Sequence, residues 1–331
     1  MRTFHTWGRA VGSFLVVSGN HALSVNVPFG EMEHVVDGGR GIEMHAYDWG
    51  GDGPPLVLAH ATGLHAHVWL PMVQRLRTRF RCIGVDLMAQ GASSGPADGD
   101  LRWDGVAGSL VAVLDELDLS GRGDVYGVGH SQGGFAVIEA ELRRPGTFAS
   151  LFVHEPVVFP PMAGMLPGDT WPSNPMSVLT RRRRRTFVSH DVAVKNFAAK
   201  PPFGRCDPEV VESYVRWGFR PTGVVSENGE EEIGLVCSPE TEGDLFEGSV
   251  TDVFSRLPKL QCPVTYGLGE ELGGFTDVVP LAAEATPRGH LLRLPGRTHF
   301  GILEGIDEMS VVVREALLGP TPDAGSHAAH A

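Results

Sequence analysis

Gly129-His130-Ser131-Gln132-Gly133, followed at once by Gly134, is the segment of this chain best suited to do chemistry. An apolar stretch, Asp124-Val125-Tyr126-Gly127-Val128, runs into it, and a helical pattern from Gln132 to Arg143 leaves it. A strand that turns sharply into a helix forces strained backbone on the residue at its tip, and flanking side chains would collide there. Gly129 and Gly133 remove those side chains. Ser131 is then presented at the sheet's edge, over a helix N-terminus whose dipole favours negative charge. The chemistry implied is attack by a serine hydroxyl, a weak nucleophile that needs a base. Of 14 histidines, His299 stands out by position. The loop Leu294-Pro295-Gly296-Arg297-Thr298-His299-Phe300 joins the last apolar strand to the last helix, at the same C-terminal sheet edge as Ser131. Imidazole titrates near neutrality, which suits taking a proton and returning it. His5, His21, His327 and His330 read instead as surface residues.

The elements that must hold these groups alternate from about Glu33 onward. Leu56–Ala59, Arg81–Val85, Asp124–Gly129, Leu151–His154, Pro263–Leu268 and Leu291–Leu294 read as buried strands. Helical spacing of apolar residues recurs at Val68–Leu76, Val106–Leu119, Gln132–Arg143, Val278–Ala285 and Ile306–Leu318. Strands apolar throughout, with helices between them, mean an α/β fold with a mostly parallel, doubly wound sheet covered on both faces. The rhythm breaks between about Pro156 and Val250, where prolines interrupt any long element. There, Val188–Phe219 reads as helical pieces and Val224–Ser238 as extended chain. This stretch reads as an insertion.

The chain has 331 residues, 42% of them hydrophobic and 20% charged, enough to bury a large core. Its net charge of −13 makes it a poor partner for nucleic acid or an anionic membrane, both of which need clustered positive charge. No apolar run reaches the ~18 residues needed to cross a bilayer. Cys82, Cys206, Cys237 and Cys262 lack CxxC spacing, which argues against a zinc ribbon or disulfide framework and suits a reducing, cytoplasmic setting. Arg2, Arg9 and the short apolar stretch Ala10–Val17 have the outline of an export signal. No clear cleavage site follows, and a loose extension is the preferred reading.

The order of elements, the Gly-His-Ser-Gln-Gly-Gly elbow, Asp86 with the turn Gln90-Gly91-Ala92-Ser93-Ser94-Gly95, and the late His299 resemble the α/β-hydrolase fold family over roughly Glu33 to Leu318. The resemblance implies a Ser…acid…His order, an oxyanion hole and a lid inserted after the sixth strand. It divides the chain into an extension (1–32), a core (33–156 and 251–319), a cap or lid (157–250) and a disordered tail (320–331). The implied acid is open. Many members carry an Asp after the seventh strand, but here that turn reads Gly267-Leu268-Gly269-Glu270-Glu271-Leu272. A second family solution puts the acid directly after the sixth strand, at Glu155, as in lactone-opening relatives such as zearalenone hydrolase. A carboxylate at the end of a buried strand is costly without a partner, and an imidazole N–H would be one. Glu155 is therefore preferred, with Glu270 and Glu271 as alternatives. The oxyanion donors would be the N–H of Gln132 and that of Ala61 or Thr62, in His60-Ala61-Thr62-Gly63. The family usually shows His-Gly where this chain has His60-Ala61, and His60 itself reads as a brace for the loop.

The function expected is a serine hydrolase that cleaves an ester or lactone of a small to medium apolar substrate through an acyl-enzyme. A carbon–carbon hydrolase of a diketone-like substrate would use the same residues, and a non-catalytic binding protein on the same fold is the third reading. No cofactor and no metal site is expected, the partner being a small molecule; a homodimer is left open. Arg181–Arg185 could attract an anionic substrate, although such runs are usually solvated helix faces. Trp69, Trp103, Trp171, Trp217 and Phe159 could line a pocket, the last three in or beside the lid, though most would be core.

Overall fold

The computed structural model describes residues 29–160, 174–225, 229–249, 252–270 and 275–319. Strands β1 (Met32–Asp37) and β2 (Glu43–Asp48) form an antiparallel hairpin. The chain then alternates through β3 (Pro55–Ala59), α1 (Leu70–Leu76), β4 (Arg81–Asp86), α2 (Trp103–Glu116), β5 (Val125–His130), α3 (Gln132–Arg143) and β6 (Phe148–His154). Next comes an excursion of α4 (Pro175–Thr180), β7 (Thr186–Phe187), α5 (His190–Ala198), α6 (Pro208–Gly218), β8 (Phe219–Val225), β9 (Glu231–Leu235) and α7 (Pro239–Glu247). The alternation resumes with β10 (Val264–Gly269), α8 (Phe275–Ala285), β11 (Gly289–Leu294) and α9 (Ile306–Leu318).

The main sheet has the order β1-β2-β4-β3-β5-β6-β10-β11, and every pairing from β4 to β11 is parallel. Strand β3 explains why its sequence is unbroken apolar residues. All five of its residues are buried, Leu56 and Leu58 in one core and Val57 and Ala59 in the other. Alternate residues point to opposite faces, and both faces are covered by helices. One core joins α2 and α3 through Trp103 and Phe135, whose rings meet edge to face at 5.2 Å. The other takes Val73 of α1 and Met309 and Val313 of α9.

That second core continues without a break into the inserted segment, through Phe187, Phe197, Phe203, Tyr214 and Phe219. The insert carries its own antiparallel sheet, in the order β7-β9-β8. Its prolines start helices as much as they interrupt them. Asn174-Pro175, Asp207-Pro208 and Ser238-Pro239 open α4, α6 and α7, each with the polar side chain accepting a backbone N–H of the first turn. Proline at the first helical position loses only an N–H that had no partner there anyway.

Two expectations change. The edge hairpin was not legible: β1 is largely exposed and follows no apolar run. Arg181–Arg185 is not a helix face, because α4 ends at Thr180 and the run forms the turn into β7. The extension up to residue 28, Trp171, Glu271 and the tail from residue 320 lie outside the described residues.

Candidate active site

Ser131 sits between β5 and α3 with φ 54° and ψ −112°, backbone that L-residues rarely adopt and that costs about 1–3 kcal/mol. Close packing enforces it. A Cβ on Gly133 would lie 2.1 Å from the carbonyl oxygen of Ala59, and one on Gly129 would lie 2.5 Å from the Cα of Gly134. The Ser131 N–H donates to the His154 carbonyl at 3.0 Å, and its own carbonyl accepts from Phe135 N–H at 3.1 Å. The elbow is thereby tied to the end of β6, one residue before Glu155.

Glu155 leaves β6 with φ 41° and is buried. Both carboxylate oxygens are satisfied. Oε1 accepts the Gly269 N–H at 2.9 Å, and Oε2 lies 2.7 Å from His299 Nδ1. A buried carboxylate needs such partners; an ionised Glu155 takes the Nδ1 proton here, and Nε2 is the ring nitrogen not engaged by Glu155. The His299 ring stacks on Phe275, with centroids 4.5 Å apart and planes 12° apart. Glu270 is exposed beyond the end of β10, so the structure brings Glu155, not Glu270, to His299.

Two further histidines hold the His299 loop, and sequence reasoning missed both roles. His130 Nε2 donates to the His299 carbonyl at 2.7 Å, and His154 Nε2 donates to the Thr298 carbonyl at 3.1 Å. They end β5 and β6 at paired positions in the sheet, so the two strand tips grip one loop. Burial keeps both rings neutral, pushing His130 well below its ordinary value and His154 down to about 4. The signal available was their place beside Ser131 and Glu155 at strand ends.

The loop after β3 is braced as its sequence led us to expect. His60 Nδ1 donates to the Ala61 carbonyl at 2.8 Å, and Nε2 accepts the Leu87 N–H at 3.0 Å. Gln90, from the glycine-rich turn, adds a bridge: its Oε1 accepts the Gly63 N–H at 2.7 Å, and its Nε2 donates to Gln132 Oε1 at 2.8 Å. One amide thus joins the loop of Ala61 and Thr62 to the residue after Ser131. Gln132 is the first residue of α3, where the backbone N–H has no partner within the helix. Asp86, the other member of that motif, is structural: its carboxylate accepts from the Ala66 and Ala92 N–H groups and the Tyr47 hydroxyl.

Ser131, His299, Ala61 and Thr62 open on one cavity of about 940 Å³ between the sheet edge and the inserted segment. Phe159 and Trp103 line it, whereas Trp217 stacks on His67 instead. Most of its aromatic wall comes from residues not singled out beforehand, among them Phe187, Phe197, Phe203, Phe246 and Phe275. Arg183 ion-pairs with Glu242 and donates to the Tyr214 hydroxyl at 2.7 Å in this wall. The four cysteines are buried and free, and burial pushes the Cys82, Cys206 and Cys262 thiols up to about 12, which makes them poor nucleophiles. No group of His, Cys, Asp and Glu among the described residues could hold a metal ion. No described helix is long and apolar enough to cross a membrane.

A strained serine at a strand–helix elbow, with an acid after β6 and a histidine after β11, places the chain in a known class. It belongs to the alpha/beta hydrolase family, whose model matches residues 56–314. It is 30% identical over 154 residues to a pimeloyl-[acyl-carrier protein] methyl ester esterase of Methylococcus capsulatus, covering 46% of this chain and 55% of that one. The match spans about half the length of that relative. Among solved structures, E-2-(acetamidomethylene)succinate hydrolase superimposes with a TM-score of 0.67 at 18% identity, over 88% of this chain and 100% of the other. An enol-lactonase from Burkholderia xenovorans gives 0.61 at 16% identity, over 86% and 99%. These two likenesses are of fold.

Proposed function

We propose that the protein is a serine hydrolase that opens an ester or lactone through an acyl-enzyme. The observation that carries this is the 2.7 Å contact of Glu155 with His299, at the cavity into which Ser131 opens. Ser131 Oγ attacks the carbonyl carbon while His299 Nε2 takes its proton. Glu155 stays ionised, holds the Nδ1 proton and stabilises the imidazolium. The oxyanion is met by the N–H of Gln132 and by that of Ala61 or Thr62. The tetrahedral adduct collapses, the alkoxide leaves with the proton from His299, and Ser131 stays acylated. Water then gives a proton to His299 Nε2 and attacks the acyl carbon. Collapse returns that proton to Ser131 Oγ and frees the acid. The aromatic wall and the cavity's size favour a medium-sized, largely apolar substrate. A relative named as a methyl ester esterase supports the ester class.

The test is a panel of esters, lactones, thioesters and diketones, run on native protein and on Ser131→Ala. We expect ester or lactone turnover that the variant loses while keeping its fold. Turnover confined to diketones would shift the reaction to carbon–carbon cleavage, and native-rate ester turnover by Ser131→Ala would refute the mechanism.

A further inference from the structure

The arginine run splits by parity. Arg181, Arg183 and Arg185 turn to the acids of α7: Arg181 pairs with Asp244 at 2.6 Å, Arg183 with Glu242, and Arg185 with Glu240. Arg182 and Arg184 make no such pair among the described residues; both are exposed, and with Arg183 they line the cavity. Arg184 lies 4.5 Å from the ring centre of Phe187, which also lines it, and its Nε donates to the Thr186 carbonyl at 2.8 Å. Lys200, from just beyond α5, joins them with a neutral partner, Asn196 Oδ1 at 3.0 Å. Among the described residues, none of these three cations has a carboxylate partner. Glu242 is the only acid among the described lining residues, and Arg183 already neutralises it. A chain of net charge −13 thus places three positive charges, all at exposed positions of the inserted segment, on the lining of a largely apolar cavity.

Such an arrangement matches a ligand that is apolar along its length and anionic at one end. Arginine offers a planar fork of donors to a carboxylate or phosphate, and lysine a point charge. We propose that the substrate is an acyl ester carrying a carboxylate or phosphate, which Arg182, Arg184 and Lys200 receive at the inserted-segment end of the cavity while the scissile carbonyl lies at Ser131. This rests on the hydrolase reading for the carbonyl's position but not for the anion's. Arg182, Arg184 and Lys200 act as specificity determinants, and Arg183 with Glu242 as part of the wall that presents them.

The test uses p-nitrophenyl esters of matched chain length in three series: neutral alkanoates, ω-carboxylates and ω-phosphates. Binding to Ser131→Ala protein is followed by calorimetry, and turnover by native protein is followed separately. We expect one anionic series to bind about ten-fold tighter than the neutral one, and the preference to shrink with added salt. The two anionic arms identify which anion the site takes. Replacing Arg182, Arg184 and Lys200 together by Gln should abolish the preference, while Arg185→Gln, which alters an exposed pair with Glu240 outside the cavity lining, should retain it. Equal binding of neutral and anionic esters, or a preference that survives the triple variant, overturns the proposal. Anion preference in Ser131→Ala without any native turnover would instead overturn the hydrolase reading and leave the anion site standing.

Discussion

Glu155 and His299 lie 144 residues apart in sequence, yet Oε2 of one is 2.7 Å from Nδ1 of the other. Neither position is free to drift. Glu155 is fixed at both ends, its N–H on the Gly267 carbonyl and its Oε1 on the Gly269 N–H, while two buried histidines hold the backbone of the His299 loop. If that contact orients the base, Glu155→Gln should lower kcat by about 10²–10⁴-fold, since an amide of the same shape carries no charge and can favour the wrong tautomer. Glu270→Gln, at an exposed position, should stay within about two-fold. Steady-state kinetics on a p-nitrophenyl ester decides, and a large loss confined to Glu270→Gln would name the other acid.

Gln90 links Gly63 to Gln132. Gln90→Ala should let the two sides of the proposed oxyanion site move apart. We expect kcat to fall roughly 10- to 100-fold, with KM changed much less, because small misplacements act on the transition state. A rise in KM at constant kcat would mean that Gln90 shapes the pocket and not the hole.

How much of this was legible follows from how local each signal is. The elbow was readable because strain at one residue demands glycine at two neighbours, a pattern confined to five positions. The core strands were readable because burial on both faces forces apolar residues throughout, as in β3. Glu155 needed a family resemblance, since a single carboxylate after a strand has no local signature. The place of His130 and His154 at strand ends was visible, but their grip on the His299 loop was not. That grip depends on the register of β5 against β6 and on the approach of a loop more than 140 residues away. The parity of the arginine run depends likewise on where α7 falls, and a run of five like charges carries no such information.

Gly133→Ala tests the elbow's packing. The added Cβ would meet the Ala59 and His60 carbonyls, which belong to backbone that cannot easily yield. Destabilisation of about 3 kcal/mol or more is expected by urea unfolding. A loss below about 1 kcal/mol would show that β3 shifts freely against α3.

The buried histidines set an acid limit. His154, pushed down to about 4, and His65, pushed down to about 3, are held neutral by burial, whereas the unfolded chain takes up their protons near 6.5. Their contribution is therefore fully present above about pH 6.5 and is lost as pH falls toward 4, on the order of a few kcal/mol. Urea titrations across that window should show the decline. His154→Gln, whose amide can still donate to the Thr298 carbonyl, should make the decline shallower, the share of His65 and His130 remaining; an unchanged slope would remove His154 from the account.

The central claim is that Ser131 is an activated nucleophile. A fluorophosphonate probe followed by peptide mapping tests it without knowledge of the substrate. The account predicts one adduct per chain, on the peptide containing Ser131, with labelling slowed strongly in His299→Ala. An unlabelled native protein, or an adduct on another residue, would contradict it.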